Sequence, residues 1–430
     1  MKRKEFFLAT LFFLFTTASI FCAQYGDVNN SNTIDIVDAL MIAQYTVGLN
    51  PSGFNQVAAD VNADRTINIV DALMIAQRYV GLISSFPAGN TIPPTNQPTP
   101  TPTPTNRPAT APKLHTEGKW VKDASGNDVV IKGVALADLD AIYKGDRSQN
   151  VPTTAQSIVD IGTSNGWNID AFRLCIHPEV NDETGSHGWL HYSADDYYNN
   201  ILNPVVQHII GKGKYAIIDW HYVGASWNDG NVVNNTQNFW NYMAQKYADH
   251  ANIIFELFNE PGGGSWSDWK SRAQGWVNTI RNTYGADNLI IVGGPSWSQT
   301  MPQSSGDLLS GGNIVYACHI YPQHGTPNWI DWVANNAPVI MTEWGYEAQA
   351  PQPVNGTSSW ANSYKNMINS KPNVGWIAWC FDFVYRSVMF DKNWTLLGNG
   401  QSTSSTRFHG GPDDNSNNYM GQFTKNWLAE

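Results

Sequence analysis

The chain predicts two folded bodies of different class. Residues 113–430 read as an α/β body, an eight-stranded parallel (β/α)8 barrel, and residues 24–83 ahead of it as a small all-α module of paired loops. Three observations carry this. Eight short apolar runs alternate with longer polar or amphipathic stretches through the C-terminal body. A loop-and-helix motif beginning at Asp27 recurs 33 residues later at Asp60. Between the bodies, residues 84–112 turn into alternating Thr and Pro, which favour an extended spacer and cannot build a core.

At the N-terminus, Lys2, Arg3 and Lys4 precede an apolar run from Phe6 to Phe15 and then small residues at Ala18 and Ser19. That is the pattern of a secretory signal over residues 1–23, too short to span a membrane, and it predicts a secreted, extracellular protein. Lipidation at Cys22 is the alternative, against which Phe21 is a bulky neighbour. Cys175, Cys318 and Cys380 fall in or beside apolar runs and read as buried free thiols. The formal charge of −11 and the lack of a basic stripe exclude a nucleic-acid partner. Aromatic residues make up 12% of the chain, with 18 Trp, and Trp faces stack on the C–H surface of sugar rings. A carbohydrate ligand fits that excess.

The repeated motif places oxygen side chains at loop positions 1, 3, 5, 9 and 12. These are Asp27, Asn29, Ser31, Asp35 and Asp38, then Asp60, Asn62, Asp64, Asn68 and Asp71. This is the ligand rhythm of a twelve-residue Ca2+ loop, with the position 7 carbonyl from Thr33 or Thr66, followed by a helix closed by Gly48 or Gly81. With its two copies at this spacing, the segment resembles a dockerin. The resemblance implies docking to a cohesin-bearing scaffold protein through residues 26–82, with Ile36 and Val37, repeated as Ile69 and Val70, at positions that help choose the partner. Near identity of the copies implies binding in two orientations. Position 6 departs from the usual Gly, being Asn32 or Arg65.

In the larger body the strand candidates begin at Val129, Ile169, Tyr215, Ile253, Asn288, Ile314, Pro338 and Gly375, with helical intervals such as 236–247 and 267–284. A doubly wound open sheet is the competing fold, but no Gly-rich nucleotide loop follows the first run. In a TIM barrel the active site lies at the strands' C-terminal ends. There the sequence places Arg173, His221, Asn259 with Glu260, His319 with Tyr321, Glu343, and Trp379. Two glutamates at the tips of buried strands among aromatics supply what glycoside hydrolysis needs, one proton donor and one carboxylate for the anomeric carbon. Glu256 reads as a buried structural carboxylate. Trp227, Trp266, Trp297 and Trp344 are candidate cleft walls, and Glu347 and Asp382 lie near the rim.

The motifs Asp219–His221 (DWH), Asn259–Pro261 (NEP), His319–Tyr321 (HIY) and Thr342–Gly345 (TEWG), in that order, make the body resemble glycoside hydrolase family 5. The resemblance implies that Glu260 is the acid/base and Glu343 the nucleophile of a retaining mechanism, with Arg173, His221, Asn259, His319, Tyr321 and Trp379 binding substrate. It implies no catalytic cofactor. The pKa of Glu260 should then be raised by apolar walls and a neighbouring negative charge, while Arg173 and the Tyr321 hydroxyl keep Glu343 ionised. The context of these motifs looks most like the bacterial endoglucanase branch, an endo-β-1,4-glucanase (cellulase) acting on plant cell-wall polysaccharide; endo-β-1,4-mannanase and xyloglucanase are the alternatives on the same scaffold. The segment from Trp379 departs from that branch. A non-catalytic carbohydrate-binding barrel is the rival of another class, and intact motifs around both glutamates speak against it.

Overall fold

The structure is a computed structural model describing residues 24–89, 111–397 and 420–430, apart from positions 30, 32, 47, 48, 50, 52, 53, 65, 66, 165, 181–185, 249, 349 and 351. Residues 1–23, read above as a secretory signal, most of the Thr/Pro segment, Asn32, Gly48, Arg65 and Thr66 lie outside the described residues. The chain divides into two compact units, on either side of Thr105.

The first unit is helical, as the repeat predicts. Helices Ile36–Thr46 and Ile69–Tyr79 flank a short turn of helix at Gln56–Ala59. Val28, Ile42, Ala59, Val61, Ile75 and Phe86 form its core. Gly81 closes the second helix at φ 78°, where a side chain is strained, with Leu82 N–H reaching back to the Gln77 carbonyl.

The second unit is a closed parallel barrel. Its strands are β1 (Lys132–Leu136), β2 (Ala171–Ile176), β3 (Tyr215–Trp220), β4 (Ile253–Glu256), β5 (Ile290–Val292), β6 (Ile314–Ile320), β7 (Val339–Trp344) and β8 (Val374–Ala378), paired in sequence order with β8 against β1. Closure rules out the open doubly wound sheet. The apolar run at Val129 proves to be two elements: Asp128–Val129 pairs antiparallel in a small sheet with Trp120–Asp123, and only from Lys132 does the chain enter the barrel. The helix expected at 267–284 runs Trp266–Asn278 and continues through a π turn at Thr279–Thr283.

Alternation along each strand sorts side chains between two cores. Phe172, Leu174, Ile218 and Phe255 face the helices. Ala171, Cys175, Ile217, Ile254, Val315 and Ile340 fill the barrel interior. Near the strands' C-terminal ends the interior positions change character, and fully buried Arg173, Asp219 and Glu256 take the place of apolar residues. This polar layer is the floor on which the rim residues stand. Cys175, Cys318 and Cys380 are buried free thiols, as expected.

Candidate active site

Past Glu256 the chain runs on to Asn259 and Glu260 and makes a second, short parallel ladder, Glu260–Pro261 against Val223–Ala225. The N–H of Asn259 donates to the Trp220 carbonyl and that of Glu260 to the Tyr222 carbonyl, each at 3.0 Å. Backbone hydrogen bonds thus fix the acidic tip rather than leaving it on a free loop. Across the barrel, β7 carries Glu343, with register shifts on both sides of it in the pairings with β6 and β8. Such irregularities re-aim a side chain, here into the mouth of the barrel.

Arg173 is the hub. Its guanidinium donates to Glu256 at 2.6 and 3.1 Å, to Glu343 at 2.8 Å and to the Asn259 side-chain oxygen, and it lies 3.1 Å from Asp219. Tyr321 O–H donates to the other oxygen of Glu343 at 2.8 Å. His319 Nδ1 lies 2.8 Å from Glu260 and 3.4 Å from Glu343, while its Nε2 meets the Thr342 hydroxyl at 3.0 Å. An oxygen of Glu260 and an oxygen of Glu343 come within 4.8 Å of each other. His221 bonds Asp219 through Nδ1 at 2.6 Å, and its ring lies parallel to Trp379 at 5.5 Å. All eight sequence-predicted site residues of the barrel therefore meet at one place.

The two glutamates titrate in opposite directions. Burial pushes Glu260 above its ordinary carboxyl value; the His319 hydrogen bond opposes this, and the charge of Glu343 adds to the rise. Burial would raise Glu343 as well, but the charges of His319 and Arg173 and the Tyr321 hydroxyl outweigh it and hold Glu343 below its ordinary value. Of the two carboxyls, Glu260 therefore holds its proton the more tightly and Glu343 is the one kept ionised. Burial, with the nearby His177 and Arg173, drives the His221 pKa well down and keeps the ring neutral. Its Nδ1–H is then committed to Asp219, and Nε2 is left to accept from a ligand hydroxyl.

The four Trp expected as cleft walls differ in exposure. Trp344 is in the core against Trp376, Trp427 and Tyr364. Trp227 is buried against Trp269, and Trp266 gives its N–H to the Asp307 carbonyl. Only Trp297 among these four is half exposed, at 50%. It sits in a left-handed turn with Ser296 and Ser298 (φ 62°, 58° and 55°) that non-glycine residues adopt at a cost. Ser296 N–H bonded to the Gly262 carbonyl and Ser298 Oγ bonded to the Asn259 carbonyl hold that turn beside Glu260. Asp382 is taken up by Arg147, and Glu347 accepts the Val388 N–H. Sequence reasoning named Asp219 and Thr342 only as the first residues of the DWH and TEWG motifs and gave neither a role; the structure sets Asp219 against His221 and Arg173, and Thr342 against His319.

Two clusters here have metal-ligand residue types, Cys175–Asp219–His221 and Glu260–His319–Glu343. In each, the fixed positive charge of Arg173 already lies against a carboxylate, which opposes a bound cation. The helical unit offers the contrary environment. In both of its loops the position 12 carboxylate is wholly buried: Asp38 accepts the N–H groups of Val28, Asn29 and Asp35, and Asp71 those of Val61, Asn62 and Asn68. Asp27 and Asp60 each accept the position 5 N–H. Burial raises the Asp38 pKa, a demand for positive charge that a cation would meet. An all-oxygen donor set of this kind fits Ca2+.

The profile of the cellulase family (glycosyl hydrolase family 5) matches residues 123–383, and that of the dockerin type I domain matches residues 25–79. Endoglucanase Z of Dickeya dadantii is 38% identical over 149 residues, 34% of this chain and 34% of that protein. Endoglucanase E-5 of Thermobifida fusca is 27% identical over 256 residues, 57% of this chain and 52% of the other. The chain thus spans between a third and about half of the length of these two relatives. Among solved structures, cellulase Cel5C_n aligns at 26% identity with a TM-score of 0.58, over 76% of this chain and 95% of that one.

Proposed function

The chain belongs to glycosyl hydrolase family 5 and carries a dockerin type I domain, and from this premise we propose that it is a secreted, retaining endo-β-1,4-glucanase that acts as part of a scaffold-borne assembly. The observation that carries the reading is the pair of oppositely titrating glutamates joined through His319. One oxygen of each lies within 4.8 Å of the other, which supports the close spacing of a retaining pair, whose carboxyls stand about 5–5.5 Å apart.

In the first step Glu343 attacks the anomeric carbon while Glu260 gives its proton to the leaving oxygen, so the C–O bond breaks as the glycosyl–enzyme ester forms. In the second, Glu260, now ionised, takes a proton from a water that attacks the same carbon and releases Glu343. Tyr321 and Arg173 keep Glu343 ionised and aimed. Asn259 has one side-chain N–H engaged by the Tyr222 carbonyl, and its second N–H is offered to the sugar 2-hydroxyl. His221 accepts from a neighbouring hydroxyl, and Trp379 carries the sugar's apolar face. Trp297, beyond Glu260, serves the leaving-group sugar. Trp297→Ala should lower kcat/KM on long glucan by roughly tenfold, the scale of one aromatic contact, without shifting the unfolding midpoint.

Reducing-sugar release from carboxymethylcellulose, mixed-linkage glucan, xyloglucan and galactomannan tests the substrate. Preference for glucan is expected; preference for galactomannan would keep the mechanism and overturn the substrate.

Residues 1–23 are read as a cleaved leader and 84–112 as a spacer between the two folded bodies. In the dockerin domain Ca2+ would be held by Asp27, Asn29, Ser31, Asp35 and Asp38 and by the equivalent Asp60, Asn62, Asp64, Asn68 and Asp71. When bound it supplies the charge that locks each loop; the loops' own residues cap the helices, as Asn68 does by accepting the Val70 N–H. Ile36 and Ile69, exposed at 50% and 61%, stand at equivalent positions with Leu40 and Leu73, and these two apolar faces are proposed as alternative cohesin contacts. Chelation is expected to abolish cohesin capture and to leave hydrolysis of soluble glucan unchanged. Loss of hydrolysis on chelation would place a metal in the barrel's chemistry instead.

A further inference from the structure

One hydrogen bond of the site has no part in the steps above. The His319 ring, 1% exposed, stands between Glu260 and Thr342. Its Nδ1 meets Glu260 Oε1 at 2.8 Å, and its Nε2 meets Thr342 Oγ1 at 3.0 Å. Among the described residues that hydroxyl is the only hydrogen-bond partner of Nε2, and the Thr342 side chain is itself wholly buried. Thr342 reaches this position through a bulge. From Ala317 to His319 β6 advances two residues while β7 advances three, from Ile340 to Glu343, and against β8 the same excess falls between Met341 and Trp344. Ile340 faces the barrel interior, and Met341 and Trp344 face the helices, so strict alternation would turn only one of Thr342 and Glu343 inward. The extra residue lets both turn to the mouth, where both meet His319, Glu343 lying 3.4 Å from Nδ1.

What this contact supplies follows from the proton traffic of Glu260. His319 occupies Oε1 and leaves Oε2 for the glycosidic oxygen. A proton to be delivered must sit on Oε2, so Nδ1 must keep its own hydrogen and donate it to Oε1. The ring can do this in two states. When it is neutral, Nε2 is bare and needs a donor; when it is charged, Nε2–H needs an acceptor. A hydroxyl serves as either, whereas a backbone N–H or a carbonyl serves as one alone. Burial would strip the charged form, but the charges of Glu343 and Glu260 outweigh it and raise the His319 pKa above its ordinary value. Both states are therefore within reach as Glu260 passes from acid to carboxylate and back.

We propose that Thr342 is a positioning residue for the acid/base: its hydroxyl holds the His319 ring with Nδ1–H on Glu260 whether the ring is neutral or charged. Glu260 is thereby kept free to give its proton from Oε2 in the first step and to take one from water in the second. The inference rests on the reading of Glu260 as the acid/base of a retaining endoglucanase, and it names the group through which that role is kept in both steps.

The test compares full-length wild type with Thr342→Val, Thr342→Ala and Thr342→Ser on mixed-linkage glucan and on 2,4-dinitrophenyl β-cellobioside, whose leaving group needs no proton. In Thr342→Val, kcat/KM on glucan should fall about tenfold, the scale of one buried hydrogen bond to a charged group, and kcat/KM on the aryl cellobioside should stay within about threefold. On the aryl substrate kcat, set by the second step in which Glu260 is the base, should fall about tenfold and carry KM down with it. Thr342→Ser, which keeps the hydroxyl, should stay within about threefold of wild type on both. Equal losses of kcat/KM on the two substrates in a folded Val or Ala variant, or a Ser variant as impaired as Val, overturn the role of the hydroxyl and leave the endoglucanase reading standing. No cleavage of any β-glucan by wild type overturns the endoglucanase reading itself. If neither the Val nor the Ala variant folds, neutron diffraction from wild-type crystals decides: a deuterium between Thr342 Oγ1 and His319 Nε2 and another on Nδ1 are expected, and a hydroxyl turned away from the ring or a bare Nδ1 refutes the proposal.

Discussion

Glu343→Gln is expected to leave the barrel folded while lowering glucan hydrolysis by about four orders of magnitude or more, the scale on which loss of a nucleophile is felt in a catalytic unit. The amide is isosteric, and its oxygen still accepts from Arg173, so the unfolding midpoint should move little. What is lost is the atom that bonds the anomeric carbon, and neither neighbouring glutamate replaces it: Glu256 is bound at two points by Arg173, and Glu260 is engaged by His319 with its pKa raised by burial. The pH profile of wild-type kcat/KM carries the same assignment. Glu343 must be ionised and its pKa is lowered, so the acidic limb should lie below the ordinary carboxylate range. Glu260 must be protonated and its pKa is raised, so the alkaline limb should lie above that range. In Glu260→Gln the alkaline limb should vanish on an activated aryl glycoside, whose leaving group needs no proton. Hydrolysis that survives in Glu343→Gln, or an alkaline limb unmoved in Glu260→Gln, would remove these residues from the roles given to them.

How much of this could be read from the residues alone varies with the physics involved. The barrel was legible because a strand buried on both faces leaves a short, mostly apolar run, and β2, β3, β6 and β7 are such runs, broken only by Arg173, by Asp219, by His319 and by Thr342 with Glu343. Its edges were not. The run from Val129 is equally apolar in a two-residue antiparallel strand and in β1, and only tertiary pairing divides it. The rim residues were legible because a polar group ending an apolar run has few other reasons to be there. Aromatic residues were the hard case. Trp344 follows Glu343 directly and yet turns to the helices, because successive side chains of a strand point to opposite faces. Trp297 has no strand to orient it, and its exposure follows from a left-handed turn that its sequence does not announce. The Arg147–Asp382 pair joins residues far apart in the chain, so neither side's partner could be named beforehand.

Arg173→Met is the substitution expected to cost most stability, about 3–5 kcal/mol at neutral pH by the scale of breaking a buried ion pair. The reason lies in how many anions share one cation. Glu256, Asp219 and Glu343 all lie within 3.1 Å of the guanidinium, in a barrel interior where an uncompensated charge cannot reach water. Lys cannot substitute, since a single ammonium does not reproduce the planar fork that meets Glu256 at two points while also reaching Glu343 and Asn259. The pH dependence separates this account from a simple packing defect. With the cation gone, the folded-state pKa of each of these carboxyls rises above its unfolded value, and such a group costs stability at pH above the unfolded value. That cost shrinks as falling pH protonates the folded form. Burial already puts Asp219 at about 6 with Arg173 present, so the deficit of Arg173→Met relative to wild type should narrow as the pH falls from 8 through about 6 to 5. The same loss lets the Glu343 pKa rise, and any residual activity should show its acidic limb displaced to higher pH. Urea unfolding of both proteins at pH 5 and pH 8 measures the first effect. A deficit equal at the two pH values would mean that Arg173 is held for its shape, and the charge argument for an ionised Glu343 would lose its main support.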